Sequence, residues 1–441
     1  MAKQRNAFRS GLCIAATIAL ATLGVLALIT GHRKRPLAMR NGPLDQQAYL
    51  WQRHWNASTR QGVIRHGRAM QELLVLGGEL DFAHDHPQIA LAHYDAATLE
   101  ASGVSVGLAL RIGEFRGPFQ ASDQTTRLVL DLSRRLVQSA RTSGLKLVEF
   151  QVDFDCGERQ LGGYRVWISA LQKALKPLPV TFTALPSWLN RAHAFLALAR
   201  ASDGYVLQVH SLSPPPDASV PMNLCSIRKS QQWVNEAAAL GVPFRVSLPT
   251  YSYLLAFNPA GKICGITAEG GPPDWPPGTH IRLVRANPGA MATLVRHWTA
   301  CRPVMLRGIV WYRFPNNGDT LNWHWPTLAA VMRGITPVAR MQTRLKSAGP
   351  GLINVLLVNT GTADSSSRFE IVIQWPGEPP IATDSLDGFS QRNSTPHSLT
   401  FRPGRAWQCR RFFAGRRYNI GWLKFKTRTV VSAHVYSIKT K

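Results

Sequence analysis

The chain has 441 residues, too long for one ordinary hydrophobic core and long enough for a large domain beside a small one. Apolar residues make up 45% and charged residues 17%, which excludes a disordered polyelectrolyte. Against 25 Asp and Glu stand 51 Lys and Arg, a formal charge of +26 that favours anionic partners such as acidic glycans, phospholipid head groups or nucleic acid.

The first predicted element is apolar. After the basic MAKQRNAFRSG comes LCIAATIALATLGVLALIT, residues 12–30, without a charge. At ~1.5 Å per residue a helix of this length nearly crosses a ~30 Å hydrocarbon core. The flank GHRKRP offers no clean small-x-small cleavage site, so an uncleaved signal anchor is expected in preference to a cleaved signal peptide. Residues 1–40 then form a cytoplasmic tail, anchor and linker in a bacterial inner membrane, with the bulk of the chain in the periplasm. Nucleic acid is not an expected partner there. The cysteines at 13, 156, 225, 264, 301 and 409 show no CxxC and no His at metal-ligand spacing, so no metal and no cofactor is expected, although one disulfide is open.

From residue 47 onward, β-rich runs alternate with helical periodicity. The runs are 48–55, 72–80, 104–113, 145–155, 179–188, 203–211, 243–252 and 306–315. Helical spacing appears at 123–142, 164–175, 190–201, 226–240 and 288–299. Strand–helix alternation implies parallel strands with crossover helices, and eight such units predict a (β/α)8 barrel over 41–340. An open doubly wound sheet is the alternative, but no GxGxxG or Walker-type loop follows any run. Residues 253–285 break the rhythm with a hairpin around NPAG and the Pro-rich GPPDWPPG. This is either an active-site loop at the barrel rim or a tolerated surface excursion. Residues 341–441 read as a small antiparallel β domain, a sandwich, with no acidic residue after Asp387. Its basic runs suit a clamp for an acidic polymer or membrane surface, or simply a solvated basic face.

The fourth run, LVEFQVDFDC, sets Glu149, Gln151, Asp153 and Asp155 on one face by the period of two in a strand. A half-exposed strand would show the same pattern. In a closed barrel, however, that face meets the axis, and polar residues there collect at the C-terminal mouth. The other runs also end in polar or aromatic residues: Trp51 and Arg53, Glu79, Arg111, Trp188, Gln208 and His210, Tyr251, then Trp311, Tyr312 and Arg313. Each alone has a plain explanation, as a satisfied histidine, an ion-pair partner or a barrel-filling ring. Together they suit carbohydrate chemistry. Two carboxylates at i and i+2 push their pKa values apart, so one stays protonated to serve a leaving oxygen. The expected roles are Asp155 as general acid and Asp153 or Glu79 as partner carboxylate. Trp51, Arg53, Arg111, Gln151, Trp188, Gln208, His210, Tyr251, Trp311, Tyr312 and Arg313 would bind sugar.

The segments AYLWQRHW, LVEFQVDFDC, GYRVWISAL, VTFTALPSWL, GYVLQVH and VPFRVSLPTYSY together resemble bacterial domain-of-unknown-function family 3142, over most of residues 47–249. That resemblance implies a glycosidase-like barrel and no particular reaction. The fourth run also resembles family 18 glycosidases, whose strand carries D-x-x-D-x-D-x-E with the catalytic Glu last. On that pattern Asp155 takes the catalytic position and Asp153 the supporting one, while Val148 and Gln151 stand where Asp is expected. The reading is therefore a membrane-anchored glycoside hydrolase-like protein acting on a cell-envelope or extracellular polysaccharide, neutral or acidic. The alternatives are a non-catalytic polysaccharide-binding or assembly protein on the same barrel, and a structural scaffold at the envelope.

Overall fold

A computed structural model describes residues 36–52, 55–82, 86–210, 214–268, 274–365, 369–407 and 411–438. Eight strands form its centre: β1 (Asp45–Leu50), β2 (Glu72–Asp81), β3 (Ser105–Ile112), β4 (Leu147–Phe154), β5 (Val180–Ala184), β6 (Tyr205–Gln208), β7 (Phe244–Pro249) and β8 (Leu306–Tyr312). Each pairs in parallel with the next, β7 with β8, β8 with β1 and β1 with β2, so the sheet closes. The closed barrel, not the open sheet, is what the chain forms. A short antiparallel strand, Gln88–Leu91, adds to the end of β2 and was not expected.

The helices follow from their apolar spacing and caps. In Gln124–Thr142 the buried residues Val129, Leu132, Leu136, Val137 and Ala140 recur at helical spacing, and Asp123 caps the start by accepting from the Thr126 amide at 2.6 Å. This face covers the outer surface of the barrel. The ring Trp167, Tyr164, Phe154 and Phe182 continues the same layer. The first strand begins earlier than its apolar run because its polar start is used inside. Gln47 Nε2 donates to Glu72 at 2.9 Å across the barrel floor.

Between β7 and β8 the excursion is a three-stranded antiparallel sheet. Ser252–Phe257 lies between Ile263–Thr267 and His280–Arg285. The expected hairpin at NPAG joins the first two, and the third strand was not foreseen. After the barrel come two four-stranded antiparallel sheets. One holds Met341–Gly349, Leu352–Asn359, Arg417–Lys424 and Ala382–Ser385, the other Phe389–Thr395, Ser398–Pro403, Phe369–Gln374 and Ser432–Ser437. Their inner faces share a core that includes Val355, Leu357, Ile371, Ile373, Phe401, Phe412 and Leu423. Residues 39–441 form one unit.

The expected anchor, residues 12–30, lies outside the described residues. Among those described, no helix is long and apolar enough to cross a membrane. Cys156, Cys225, Cys264 and Cys301 are free thiols, and Cys13 and Cys409 lie outside the described residues.

Candidate active site

Register shows which side chains meet the axis. Gly107, Ala109 and Arg111 of β3 stand opposite Glu149, Gln151 and Asp153 of β4. Leu74 and Leu76 share the interior with Tyr49, Ala109, Val206 and Val310. From Leu76, simple alternation would turn Glu79 outward, but the register shifts between Leu76 and Gly78 and sets Glu79 opposite Arg111. Glu79, Arg111 and Asp153 therefore occupy one tier across three strands.

Asp153 is buried and held by neutral donors. Thr183 Oγ1 donates to its Oδ1 at 2.6 Å and Gln208 Nε2 donates to the same oxygen at 3.4 Å. Among the described residues it forms one ion pair, with Arg111, whose Nε is 3.9 Å from Oδ2 and whose side chain is about half exposed. Burial raises the Asp153 pKa, against the Thr183 hydrogen bond and the Arg111 charge. Asp155 lies just past the end of β4, its carboxyl open to solvent within a concave mouth. Protein on its other sides and the Asp153 charge push it up to about 7, with Arg111 opposing.

A cavity of about 160 Å³ opens at this mouth. It is lined by both aspartates and Arg111, by Thr183, Gln208, His210 and Ser247, and by the rings of Tyr49, Trp51, Tyr251, Tyr253 and Tyr312, with Ala268 from the insert. Tyr312 stacks over His210 with ring centres 5.9 Å apart and meets Trp51 edge-on at 5.7 Å. His210 lies between Ser247 Oγ, 3.4 Å from Nε2, and the Tyr251 hydroxyl, 3.3 Å from Nδ1. Burial holds its pKa down at about 4, so the ring is neutral at ordinary pH. The Trp51 indole N–H is buried without a partner among the described residues. A second, wider basin of about 860 Å³ adjoins the mouth, lined by Glu114, Arg116, Glu158, Arg159 and Arg191, and Asp155 lines both.

Of the residues expected to form the site, Asp153, Asp155, Trp51, Arg111, Gln208, His210, Tyr251 and Tyr312 are brought together. Five are not. Trp311 is fully buried on the other side of β8, where it donates to Gln46 Oε1 at 2.7 Å, because Val310 and Tyr312 take the axis. Trp188 is fully buried against Phe182 and Phe195 and donates to the Cys156 carbonyl at 3.0 Å, which makes it a part of the outer packing. Gln151 sits below the cavity, accepting from the Tyr49 hydroxyl at 2.8 Å and donating to Thr181 at 3.3 Å. Arg313 is buried and bonded to Asp319 and to the Ala268 carbonyl, so it ties the insert to the end of β8. Glu79 stands beside Arg111 outside the cavity lining. Arg53 lies outside the described residues.

The sequence reading missed Tyr49, Thr183, Ser247, Tyr253 and Ala268. Tyr49 could have been found, since it is two residues before Trp51 and so shares its face. Thr183 and Ser247 carry no such signal in small polar side chains. Among the described residues, no group of three or more His, Cys, Asp or Glu could hold a metal ion.

The sequence model of the domain of unknown function DUF3142 matches residues 113–317. It takes in β4 through β8, while the first three barrel strands lie before it. The expected likeness to this family is thus found, displaced toward the C-terminus from residues 47–249. No curated protein matches the chain. Among solved structures, the Bacillus cereus spore cortex-lytic enzyme SleL is similar at 10% identity and a TM-score of 0.47, covering 67% of this chain and 75% of its own. A chitinase from Chromobacterium violaceum is similar at 14% identity and a TM-score of 0.43, covering 66% of this chain and 98% of its own. The chitinase ChiA74 from Bacillus thuringiensis is similar at 8% identity and a TM-score of 0.42, covering 89% and 100% respectively. These likenesses are too loose for any residue's role to follow from them.

Proposed function

We propose that the chain is a glycoside hydrolase-like enzyme that acts on a polysaccharide at the mouth of its barrel, with Asp155 as general acid and Asp153 as partner carboxylate. One observation carries the reading. Two carboxylates leave the same strand two residues apart, one buried and fixed by Thr183 and Gln208, the other open to both cavities. Burial by the surrounding protein, then the Asp153 charge, raise the Asp155 pKa to about 7, with Arg111 opposing. A protonated carboxyl near neutrality is what a leaving glycosidic oxygen needs.

The rest of the mouth suits a sugar. Tyr312, Tyr251 and Trp51 supply flat apolar walls, and the unclaimed Trp51 N–H supplies a donor for a hydroxyl group. His210, being neutral, accepts or donates a hydrogen bond without competing as an acid. Glu79 acts through Arg111 rather than on substrate. The inner cavity of about 160 Å³ is below the ~300–1,000 Å³ usual for a small-molecule site, so one sugar unit enters while the polymer lies in the adjoining basin. The uncharged run 12–30 supports an inner-membrane anchor with a periplasmic barrel, which makes an envelope or extracellular polysaccharide the substrate. Retention in the membrane fraction after a carbonate wash checks that placement. Recovery as a soluble periplasmic protein trimmed near residue 31 contradicts it.

A second reading, binding without cleavage, is favoured by one feature. Asp153 and Asp155 are the carboxylates of the inner cavity lining, and both come from the C-terminal end of β4 and the residue just past it, so among the described residues none faces them across it. The experiment separates the two. The full chain is tested on a panel of bacterial and acidic polysaccharides by reducing-end release and by affinity. Asp155→Asn should cut turnover by ~10²–10⁴-fold and leave binding in place. Binding by the wild type without cleavage of any substrate leaves the second reading standing.

A further inference from the structure

The insert is a wall between two cavities. Along its central strand, Tyr253 faces the barrel mouth while Leu254 faces the other way, paired with Leu283 of the third strand. Behind that wall lies a cavity of about 800 Å³ at the junction with the C-terminal sheets. Leu254, Leu283 and Leu321 form its apolar side, and Phe413 and Tyr418 add rings from the C-terminal domain. Among the described residues, four arginines line it, Arg285 from the insert and Arg411, Arg416 and Arg417 from the C-terminal domain, against one acidic residue, Asp387.

Arg285 and Arg411 are partly buried, whereas Arg416 and Arg417 are exposed and Arg416 donates to the Asn317 carbonyl. The Arg285 Nε is shielded from solvent without a hydrogen-bond partner among the described residues. The Arg411 side chain lines the same cavity. Burial and the nearby Arg411 charge bring Arg285 down to about 10, with the Asp364 charge opposing. Like charges converging on a concave site are costly unless an anion joins them.

We propose that this junction cavity binds a carboxylate-bearing oligosaccharide, with Arg285 and Arg411 clasping the carboxylate. The described cations of the lining are arginines, whose planar fork matches a carboxylate through two parallel hydrogen bonds. The cavity is far larger than a bare inorganic anion, and its leucine and aromatic side suits the faces of sugar rings. The site is separate from the barrel mouth and does not depend on cleavage there.

The test is calorimetric titration of the full chain with a galacturonate trisaccharide, its neutral galactose counterpart and inorganic phosphate. The acidic trisaccharide should bind and the neutral one should not. Arg285→Gln with Arg411→Gln should weaken binding by about ten- to a hundredfold. Asp155→Asn should leave it unchanged. Arg411→Gln alone should also weaken binding while keeping or raising the melting temperature, because it removes a repulsion, whereas a purely structural Arg411 would lower it. Four results overturn the proposal: no binding of the acidic trisaccharide, equal binding of the neutral one, equal competition by phosphate at the same concentration, or affinity lost in Asp155→Asn and kept in the arginine variants.

Discussion

The floor and the mouth of the barrel carry similar charges and behave in opposite ways. At the floor, Arg245 of β7 donates through Nη2 to both oxygens of Glu149 at 2.8 and 2.7 Å, and its Nη1 reaches Glu72 at 3.5 Å. The Arg245 side chain is 12% exposed, and Gln47 completes the set with its bond to Glu72. Burial, then the Glu149 charge, raises Glu72 well above the ordinary carboxylate range, with Arg245 opposing. Further along the same face of β4, the one ion pair of Asp153 among the described residues is the 3.9 Å approach of Arg111, whose side chain is 49% exposed. A carboxylate on the barrel axis is structural where a buried guanidinium closes on it. Where neutral donors fix it and the cation stands in solvent, its charge remains to act on a neighbour, here Asp155.

The sharpest way to break this comparison is to remove each cation. Arg245→Met strips the partner from two buried carboxylates and should cost ~3–5 kcal/mol in urea unfolding. Arg111→Met should cost below ~1 kcal/mol, because its pair is long and half exposed. Equal losses would erase the distinction between the two ends. Next in size is Gly107, where an added Cβ would lie 2.2 Å from the Glu72 Oε1. Gly107→Ala should therefore destabilise by ~1–3 kcal/mol through overpacking of the floor.

Smaller effects sharpen the mouth. Asp153→Asn removes the charge that helps raise Asp155, so the alkaline limb of the pH–rate profile should move to lower pH. Arg111→Gln should move it higher, since Arg111 pulls Asp155 down. Movement in the same direction for both variants would contradict the assignment. The smallest effect is on stability. A folded-state pKa of about 7 lies above the unfolded value of ~3.9, so the folded chain holds the extra proton between those limits. The Asp155 contribution to stability thus falls as pH rises from about 4 to about 7. Melting curves of Asp155→Asn should show less of this decline and a relative gain at pH 8.

Much of this was legible in the sequence, for identifiable reasons. Eight β-rich runs and the helical spacing between them gave the barrel, because both periodicities report burial directly. The face of β4 followed from alternation alone. What failed was phase and partnership. Trp311 and Tyr312 are adjacent aromatics, and only the register of β8 shows that Tyr312 takes the axis. Glu79 faces inward through a bulge near the paired glycines 77 and 78, which a uniform alternation does not reveal. Arg245 went unnoticed because its carboxylate partner is 96 residues away in the chain. Such a pairing is made by closure of the sheet and leaves no local pattern.

The central claim is that the mouth keeps a carboxylic acid protonated near neutrality. It is tested most directly by carbon-13 NMR titration of the aspartate carboxyl groups in the full chain and in Asp155→Asn. One carboxyl should titrate near pH 7 in the wild type and be absent from the variant. Titration of the Asp155 carboxyl near the ordinary ~3.9 would contradict it.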